Sequence, residues 1–437
     1  MAISRRKLLI SGATLGAASA AGVLTWELNK QDTHAKIVIA GGGAAGIAIA
    51  NKLNMYLDGA QITVVDPRPY HWYQPGQTLL LAGVYDKRDD VVSTNKEYLD
   101  ANVRWINDTV TEFDPDNNQL HTLQTGKLDY DYLIVATGLE LRYDLIEGLD
   151  PDQIGHDSIA SIYHSPESGI ASHRQAMAFA QSGGGKGIFT RPHGAMKCAG
   201  APMKATNLVE FFVRQAGQRE RFQFDYMTAE NFLFSVKAFD ARLKEIWQER
   251  QITHHYEHNF KAIDSQAKKA WFGTQDGGVV EAEWDFIHIS PPMSAIAVVR
   301  DSVLADTTDF KGYLEVDKYT LQHKRFSNVF GLGDTVGTPI GKTAASVKSQ
   351  LSIVATNLTA LIREEELPAR WDGYTSCPMI LDVGHAMLWE FDYSLQPVTA
   401  LPFQVVDPLA KSKLSWVMEK SLIRPVYDIM LEGYTPV

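Results

Sequence analysis

Lys36-Ile37-Val38-Ile39-Ala40 runs directly into Gly41-Gly42-Gly43-Ala44-Ala45-Gly46. The first five residues are a near-continuous apolar run of strand length, the pattern of a strand buried on both faces of a sheet. The glycines that follow fit a turn between that strand and a helix. Gly41 permits the tight turn, Gly43 lets the backbone approach a pyrophosphate, and Gly46 lets the helix lie close to the sheet. Ala45, in the first helical turn, belongs to the same cradle. The helix start adds free N–H donors and positive potential for an anion. An Ala- and Ile-rich stretch continues the helix to about Tyr56, and 61–66 (QITVVD) reads as the next strand. Asp66 ends that strand about 20 residues after Gly46, where a carboxylate accepts from ribose hydroxyls. A lone G-x-G-x-x-G carries little weight. With strand, helix and acid in place, it reads as the start of a dinucleotide-binding unit and sets the fold class as α/β.

Outward from this unit, VRWIND (103–108), VTEF (110–113) and DYLIVATG (131–138) read as further strands. A second alternation begins near Lys186: strand KGIFTR, helix from about Pro202 to Val213, strand FQFDYMTA, then a helix over 237–250. Strands FIHIS and NVFGLGD follow from near Asp285, then a helix from about Thr343. The expected organisation is two Rossmann-like domains: a discontinuous one over 35–145 and 285–350, and a second over 146–284. A C-terminal region occupies 351–437. The 437 residues suit two or three domains, at about 100–200 residues each. Apolar residues at 45% and charged ones at 21% describe an ordinary globular protein. A net charge of −11 excludes a nucleic-acid surface, which needs a basic face.

Two later motifs favour FAD over NAD as the first nucleotide. Ala136-Thr137-Gly138 closes a strand, and Val329-Phe330-Gly331-Leu332-Gly333-Asp334 ends in a carboxylate. In both, the chain resembles the two-dinucleotide-domain flavoproteins. There Thr137 and Gly138 would lie beside the nucleotide half, and Gly333 and Asp334 on the ribityl chain. Such proteins usually carry a second glycine-rich turn for NAD(P)H. Here the stretch after KGIFTR reads PHGAMKCAGAPMK, without G-x-G-x-x-G, and Met196-Lys197-Cys198 stands where a pyrophosphate would approach. The expectation is a second domain that keeps the topology but takes no NAD(P)H.

The chain has only two cysteines, Cys198 and Cys377. In an exported protein the plain reading is one structural disulfide. Against it, a core this large gains little from a single staple, both cysteines sit in turn-like loops, and Cys198 falls where the second domain should meet the flavin. KCAGAPMK, YHWYQPGQT, SPPM, GKTAA and YTSCP together resemble sulfide:quinone oxidoreductases, from Lys36 to the C-terminus. The resemblance implies a redox disulfide between Cys198 and Cys377 on one face of FAD, with sulfide as donor and a membrane quinone as acceptor. Sulfide would attack Cys377, leaving a persulfide there and freeing Cys198 as thiolate. Some branches carry a third cysteine after the ATG strand, sometimes bound covalently to FAD. LELRYDLIEG has none, which points to the two-cysteine, mitochondrial-like branch with non-covalent FAD. Val110 joins the implied cofactor contacts. Lys342 would place positive charge near the flavin's pyrimidine end, or else be an exposed helix-start lysine. Glu210 would move protons near the disulfide, or else be a solvated helix charge. Phe391, with the Pro291-Pro292 turn, matches the family's quinone pocket, though a single Phe is more often core.

The ends suggest location. Ser4-Arg5-Arg6-Lys7 precedes a weakly apolar, Ala- and Gly-rich run, so 1–34 reads as a twin-arginine export signal, or alternatively a short amphipathic leader. Export would make the enzyme periplasmic, peripheral on the outer face of the cytoplasmic membrane. Over 409–433, apolar residues alternate with Lys411, Lys413, Lys420 and Arg424, and Pro425 should split the segment into two helices. These either lie in a membrane interface or pack on the core. No run approaches the ~18 apolar residues of a spanning helix. His254, His255 and His258 form a tempting cluster, but as a strand QITHHYEH holds His254 and His258 well apart, so no metal site is expected. Two other readings stay open. One is the flavoprotein subunit of a flavocytochrome c sulfide dehydrogenase, the other a non-enzymatic FAD-bearing scaffold with a structural disulfide.

Overall fold

The computed structural model describes residues 30–399 and 406–435. Most of the export-signal reading, 1–29, lies outside the described residues. Strand β1 (Lys36–Ala40) is buried after its first residue and turns through the glycines into α1 (Ala44–Tyr56). Strands β2 (Gln61–Val65) and β3 (Arg104–Ile106) follow. An antiparallel meander of β4 (Val110–Asp114), β5 (Gln119–Thr122) and β6 (Gly126–Asp129) returns the chain to β7 (Tyr132–Val135).

The second unit contains β8 (Ile159–Ala160), α2 (Pro166–Ala180), β9 (Gly185–Arg191), α3 (Ala201–Gln215), β10 (Phe222–Thr228), α4 (Lys237–Glu249) and β11 (Ile252–His255). A second meander, β12 (His258–Asp264), β13 (Lys269–Thr274) and β14 (Val279–Glu283), precedes β15 (Phe286–His288). The chain then rejoins the first sheet at β16 (Val329–Gly331) and enters α5 (Ala344–Ile362). Hairpin strands β17 (Met379–Asp382) and β18 (His385–Met387) lead to helices α6 (Lys413–Ser421) and α7 (Ile423–Leu431).

The first sheet is parallel throughout, in the order β16-β7-β1-β2-β3. Its centre is dry: Ile37, Ile39, Val64, Leu133 and Phe330 are fully buried. From β1 the chain moves one way to β2 and later the other way to β7. A crevice therefore opens at the carboxyl ends of β1 and β7, the place where open α/β sheets bind ligands. The Gly41 turn and the Ala136-Thr137-Gly138 end of β7 flank it. The second sheet, also parallel, is ordered β8-β15-β9-β10-β11. Here one sequence boundary is corrected. FIHIS was expected in the first domain, but β15 pairs with β9, Ile287 opposite Ile188, both fully buried. Periodicity alone cannot tell which of two apolar parallel sheets a three-residue strand joins.

The C-terminal helices pack on the core with one face and leave the other exposed. Trp416, Tyr427, Met430 and Leu431 are buried, and Asn51 of α1 donates to the Leu431 carbonyl at 2.7 Å. On the other side Leu414, Val417, Leu422 and Val426 are exposed. The break falls at Leu422, and Pro425 sits in the first turn of α7, where its missing N–H costs no hydrogen bond. Among the described residues no helix is long and apolar enough to cross a membrane.

Candidate active site

The glycine cradle is built as its residue types require. Gly41 has φ 103°, and a Cβ there would stand 2.5 Å from the Ala136 carbonyl oxygen. A Cβ on Gly46 would lie 1.8 Å from the Gly41 oxygen, so α1 rests directly on the turn. A Cβ on Gly43 would meet nothing within 4 Å; this glycine faces open space, as a position kept bare for a ligand does. Asp66 is buried behind the turn. Its carboxylate accepts from the Gly42 N–H at 2.7 Å and pairs with Arg68 at 3.1 Å.

One cavity runs from this cradle to the cysteines. Of the residues expected from sequence, Gly43, Ala45, Thr137, Gly138, Gly333, Asp334, Lys342, Cys198 and Cys377 all line it. Gly41, Gly46 and Asp66 stand behind it and shape the turn. The remaining four are elsewhere. Val110 opens β4, away from the cavity lining. Glu210 is fully buried on α3, paired with Arg214 at 3.1 Å, Arg250 at 3.4 Å and Arg219 at 3.6 Å. Three guanidiniums surround it and it does not line the cavity, so it is not a solvated helix charge. Phe391 is 5% exposed and packs among Phe234 and Phe239, at 5.5 and 6.2 Å between ring centres; it sits in the aromatic core and does not line the cavity. Pro292 lies outside the cavity, its carbonyl accepting from the Arg142 N–H at 2.8 Å. The histidine run also resolves: His255 pairs with Asp225 at 3.2 Å, and a ring nitrogen of His258 lies 2.6 Å from the Tyr256 carbonyl.

Cys198 sits in the loop between β9 and α3 with φ 48°, a conformation uncommon outside glycine. Its backbone is pinned on three sides. The N–H donates to the Lys342 carbonyl at 2.9 Å, and the carbonyl accepts from Ala201 N–H at 2.8 Å and Tyr163 hydroxyl at 3.2 Å. Cys377 is buried, its N–H donating to the Trp389 carbonyl at 2.8 Å. Both are free thiols, joined by a hydrogen bond between their side chains. Gly200 makes the approach possible, since a Cβ there would stand 2.4 Å from the Cys377 sulfur.

The pair is electrostatically asymmetric. The hydrogen bond from Cys377 lowers the Cys198 thiol to about 6, against burial, with help from Lys204. Cys377 is held well above its ordinary value by the same hydrogen bond and by burial. The asymmetry favours the thiolate at Cys198 over Cys377. Lys204 Nζ lies 3.9 Å from the Cys198 sulfur. Burial pushes this lysine down, but the cysteines and Glu419 outweigh it and keep it charged. Lys342 donates to the carbonyls of Asp334 at 2.7 Å and Val336 at 2.9 Å, and burial lowers it to about 8. Burial raises Asp334, while Lys342 and Lys197 pull it back.

Sequence reasoning missed Lys204, Glu419, His71 and Tyr427, all of which line the cavity. Lys204 closes the KCAGAPMK motif, so a signal existed. His71 and Tyr427, joined at 2.7 Å, come from a short strand over Tyr70–Trp72 and the last helix; no local pattern links them. Glu419 sat within a segment read only for its amphipathic character.

Two parallel dinucleotide-type sheets, a bare glycine cradle and a cysteine pair on one cavity define a two-domain disulfide oxidoreductase. Comparison agrees. Residues 35–167 match the family model described as pyridine nucleotide-disulphide oxidoreductase. The chain is 34% identical to mitochondrial sulfide:quinone oxidoreductase of Mus musculus, over 92% of this chain and 87% of that one. It is likewise 34% identical to the Dictyostelium discoideum mitochondrial enzyme, over 93% and 88%. The crystal structure of the sulfide:quinone oxidoreductase from Aquifex aeolicus shares the fold, with a TM-score of 0.74 at 22% identity over 92% of each chain. The chain belongs to the sulfide:quinone oxidoreductase family.

Proposed function

We infer that this chain is an FAD-dependent oxidoreductase that oxidises sulfide to sulfane sulfur and passes two electrons to a quinone. The observation that carries this reading is the meeting of Cys198 and Cys377 on the cavity that begins at the glycine cradle. FAD suits the cradle: Gly43 leaves room for its diphosphate, the start of α1 offers N–H donors, and Gly138, Gly333, Asp334 and Lys342 line the rest. Held there without a covalent bond, FAD supplies a reversible two-electron acceptor. The residues themselves set the direction of sulfur chemistry. Once the pair is a disulfide, Lys204, 3.9 Å from the Cys198 sulfur, favours Cys198 as the leaving group, because a stabilised thiolate departs faster. Sulfide then attacks Cys377, which keeps the sulfane sulfur, while Lys204 balances the thiolate released at Cys198.

No NAD(P)H enters this scheme. The loop after β9 is occupied by Met196, Lys197 and Cys198, and lacks a second glycine-rich turn. The exposed apolar face of α6 and α7, with Lys413 and Lys420 alongside, supports peripheral attachment to a membrane, bringing a lipid-soluble quinone to the cavity. The eukaryotic relatives carry a mitochondrial designation. Here Arg5-Arg6 ahead of a weakly apolar run supports twin-arginine export, which places the enzyme on the periplasmic face of the cytoplasmic membrane; retention of an Arg5→Lys, Arg6→Lys variant in the cytoplasm is the test. The activity is tested by adding sulfide anaerobically to the purified holoprotein. The flavin absorbance should bleach and return on adding a soluble quinone analogue. Reoxidation by a cytochrome alone would favour a flavocytochrome partner, and absence of bleaching would leave only a flavin-bearing scaffold.

A further inference from the structure

Two carboxylates line the cavity, Asp334 and Glu419, and Glu419 is the one whose charge is coupled to both Cys198 and Lys204. It sits on α6, turned inward from the exposed Leu414 and Val417, and is 4% exposed. It lines the cavity with Cys198, Lys204 and Cys377. Its Oε2 is buried without a hydrogen-bond partner. A polar atom in that state is expensive, and in a folded protein it calls for an explanation. Charged and titratable groups face Glu419 from three segments: Lys204 on α3, Cys198 in the loop before it, and Tyr73 and Tyr85 from the chain after β2. Burial raises the Glu419 carboxyl to about 7, Lys204 opposes this, and a charge on Cys198 adds to it. Its proton therefore exchanges near neutral pH. Glu210, paired with three arginines, lies outside the cavity.

We propose that Glu419 is the proton acceptor for capture of hydrogen sulfide at the cysteine pair. The proposal rests on the sulfide-oxidising reading above. Neutral hydrogen sulfide enters a buried cavity at less cost than the hydrosulfide anion, because an ion must shed its hydration. It then needs a base inside. The incoming sulfur forms a bond to Cys377 Sγ, and the bond between Cys198 and Cys377 breaks. Cys198 departs with the electron pair as a thiolate beside Lys204. One S–H proton passes to Glu419 Oε2, and the other stays on the new Cys377 persulfide. Hydrogen sulfide, a disulfide and a carboxylate thus become a persulfide, a thiolate and a carboxylic acid. The disulfide gains the two electrons that the incoming sulfur yields, and net charge is unchanged.

The test uses oxidised holoenzyme, mixed anaerobically with sulfide across a pH series. Opening of the disulfide is followed by alkylating the freed Cys198 and by mass spectrometry, alongside flavin bleaching. Glu419→Gln should slow opening by about 100-fold at about pH 6, the usual weight of a general base. The loss should shrink to about twofold at about pH 8.5, where hydrosulfide brings its own nucleophile. Glu419→Asp, which keeps an acid, should keep the wild-type shape of the profile. Sulfite at the higher pH attacks disulfides without a proton to surrender, so the Gln variant should open as fast as wild type. A loss equal at all pH values, a matching loss with sulfite, or no loss at all would each overturn the proposal and leave the sulfide reading standing. A wild-type disulfide that sulfide never opens would bring down both.

Discussion

Replacing Lys204 isolates the force that makes Cys198 a thiolate. Its Nζ stands 3.9 Å from the Cys198 sulfur, and the residue is 4% exposed. At an effective dielectric of about 20, opposite unit charges at that distance attract by about 4 kcal/mol. Each pKa unit is worth about 1.4 kcal/mol, so removing the charge sets a ceiling near 3 units. The hydrogen bond from Cys377, the larger cause of the lowered value, survives the change. The expected rise in Lys204→Met is therefore about 2 units, from about 6 to roughly 8. At pH 7 the thiolate fraction then falls about tenfold. The assay is the alkylation rate of Cys198 in reduced holoprotein against pH, with the site assigned by mass spectrometry. Lys204→Arg keeps the charge and should hold the midpoint within about half a unit. Because the pair is buried, added salt should change little. An unmoved midpoint in the Met variant, or an equal shift in the Arg variant, refutes the charge argument; the second result would make packing the cause.

Other changes divide cleanly by location. Gly43→Ala, whose Cβ meets open space, should fold normally yet lose FAD affinity by about tenfold or more, read as flavin absorbance per chain. Gly46→Ala, with its Cβ at 1.8 Å from the Gly41 oxygen, should cost about 3 kcal/mol of stability and appear as a lowered melting temperature. Glu210→Ala leaves three guanidiniums without their anion and should cost about 3–5 kcal/mol in denaturant unfolding, with the pH profile of Cys198 alkylation unchanged. Leu422→Asn with Val426→Asn should reduce sedimentation with vesicles by about tenfold or more, since two exposed apolar side chains contribute roughly 3 kcal/mol when buried. Reduction of a soluble quinone analogue should be unaffected.

The local half of the site was legible in sequence because each part answers a nearby constraint. The turn 41–46, the end of β7 and the Gly333-Asp334 turn lie where strand ends and helix starts had put them. Lys342 faces the cavity from just ahead of α5, whose Thr343 side chain caps the helix. The misreadings share one cause. Glu210, Phe391 and Glu419 sit on helices or strands whose inward direction depends on partners outside their own element, Arg250 for Glu210, Phe234 and Phe239 for Phe391, and Lys204 for Glu419. Glu210 looked like a surface charge beside Cys198 because its spacing is helical, but Arg250 and Arg219 claim it. Phe391 packs against Phe234 and Phe239, which no motif connects to it. Glu419 was hidden by the same amphipathic pattern that exposes Leu414 and Val417: the periodicity gives a polar and an apolar side, not which polar residue turns inward.

The cavity gathers three helix starts: Ala44 and Ala45 of α1, Ala201 of α3, and Thr343 and Ala344 at α5. Helix N-termini offer unpaired N–H groups and a partial positive charge. Arg68, Lys197, Lys204 and Lys342 add full charges, so a chain of net charge −11 keeps a positive pocket at its centre. At α1 that potential suits a diphosphate. At α3 the same physics serves a different anion, because Cys198 stands two residues ahead of the helix cap at Gly200. A thiolate at a helix start is stabilised for the same reason a phosphate is. The second domain therefore needed no new architecture to trade a nucleotide for a sulfur. It needed a cysteine in the loop, a glycine at 200 small enough to admit Cys377, and a lysine one helical turn further on. The cost appears in Asp334 and Glu419, whose carboxyls are both raised by burial in the pocket. An acid kept near neutrality inside a positive cavity can hold or give up a proton as the charge on its neighbours changes, and each opening of the disulfide changes the charge on Cys198.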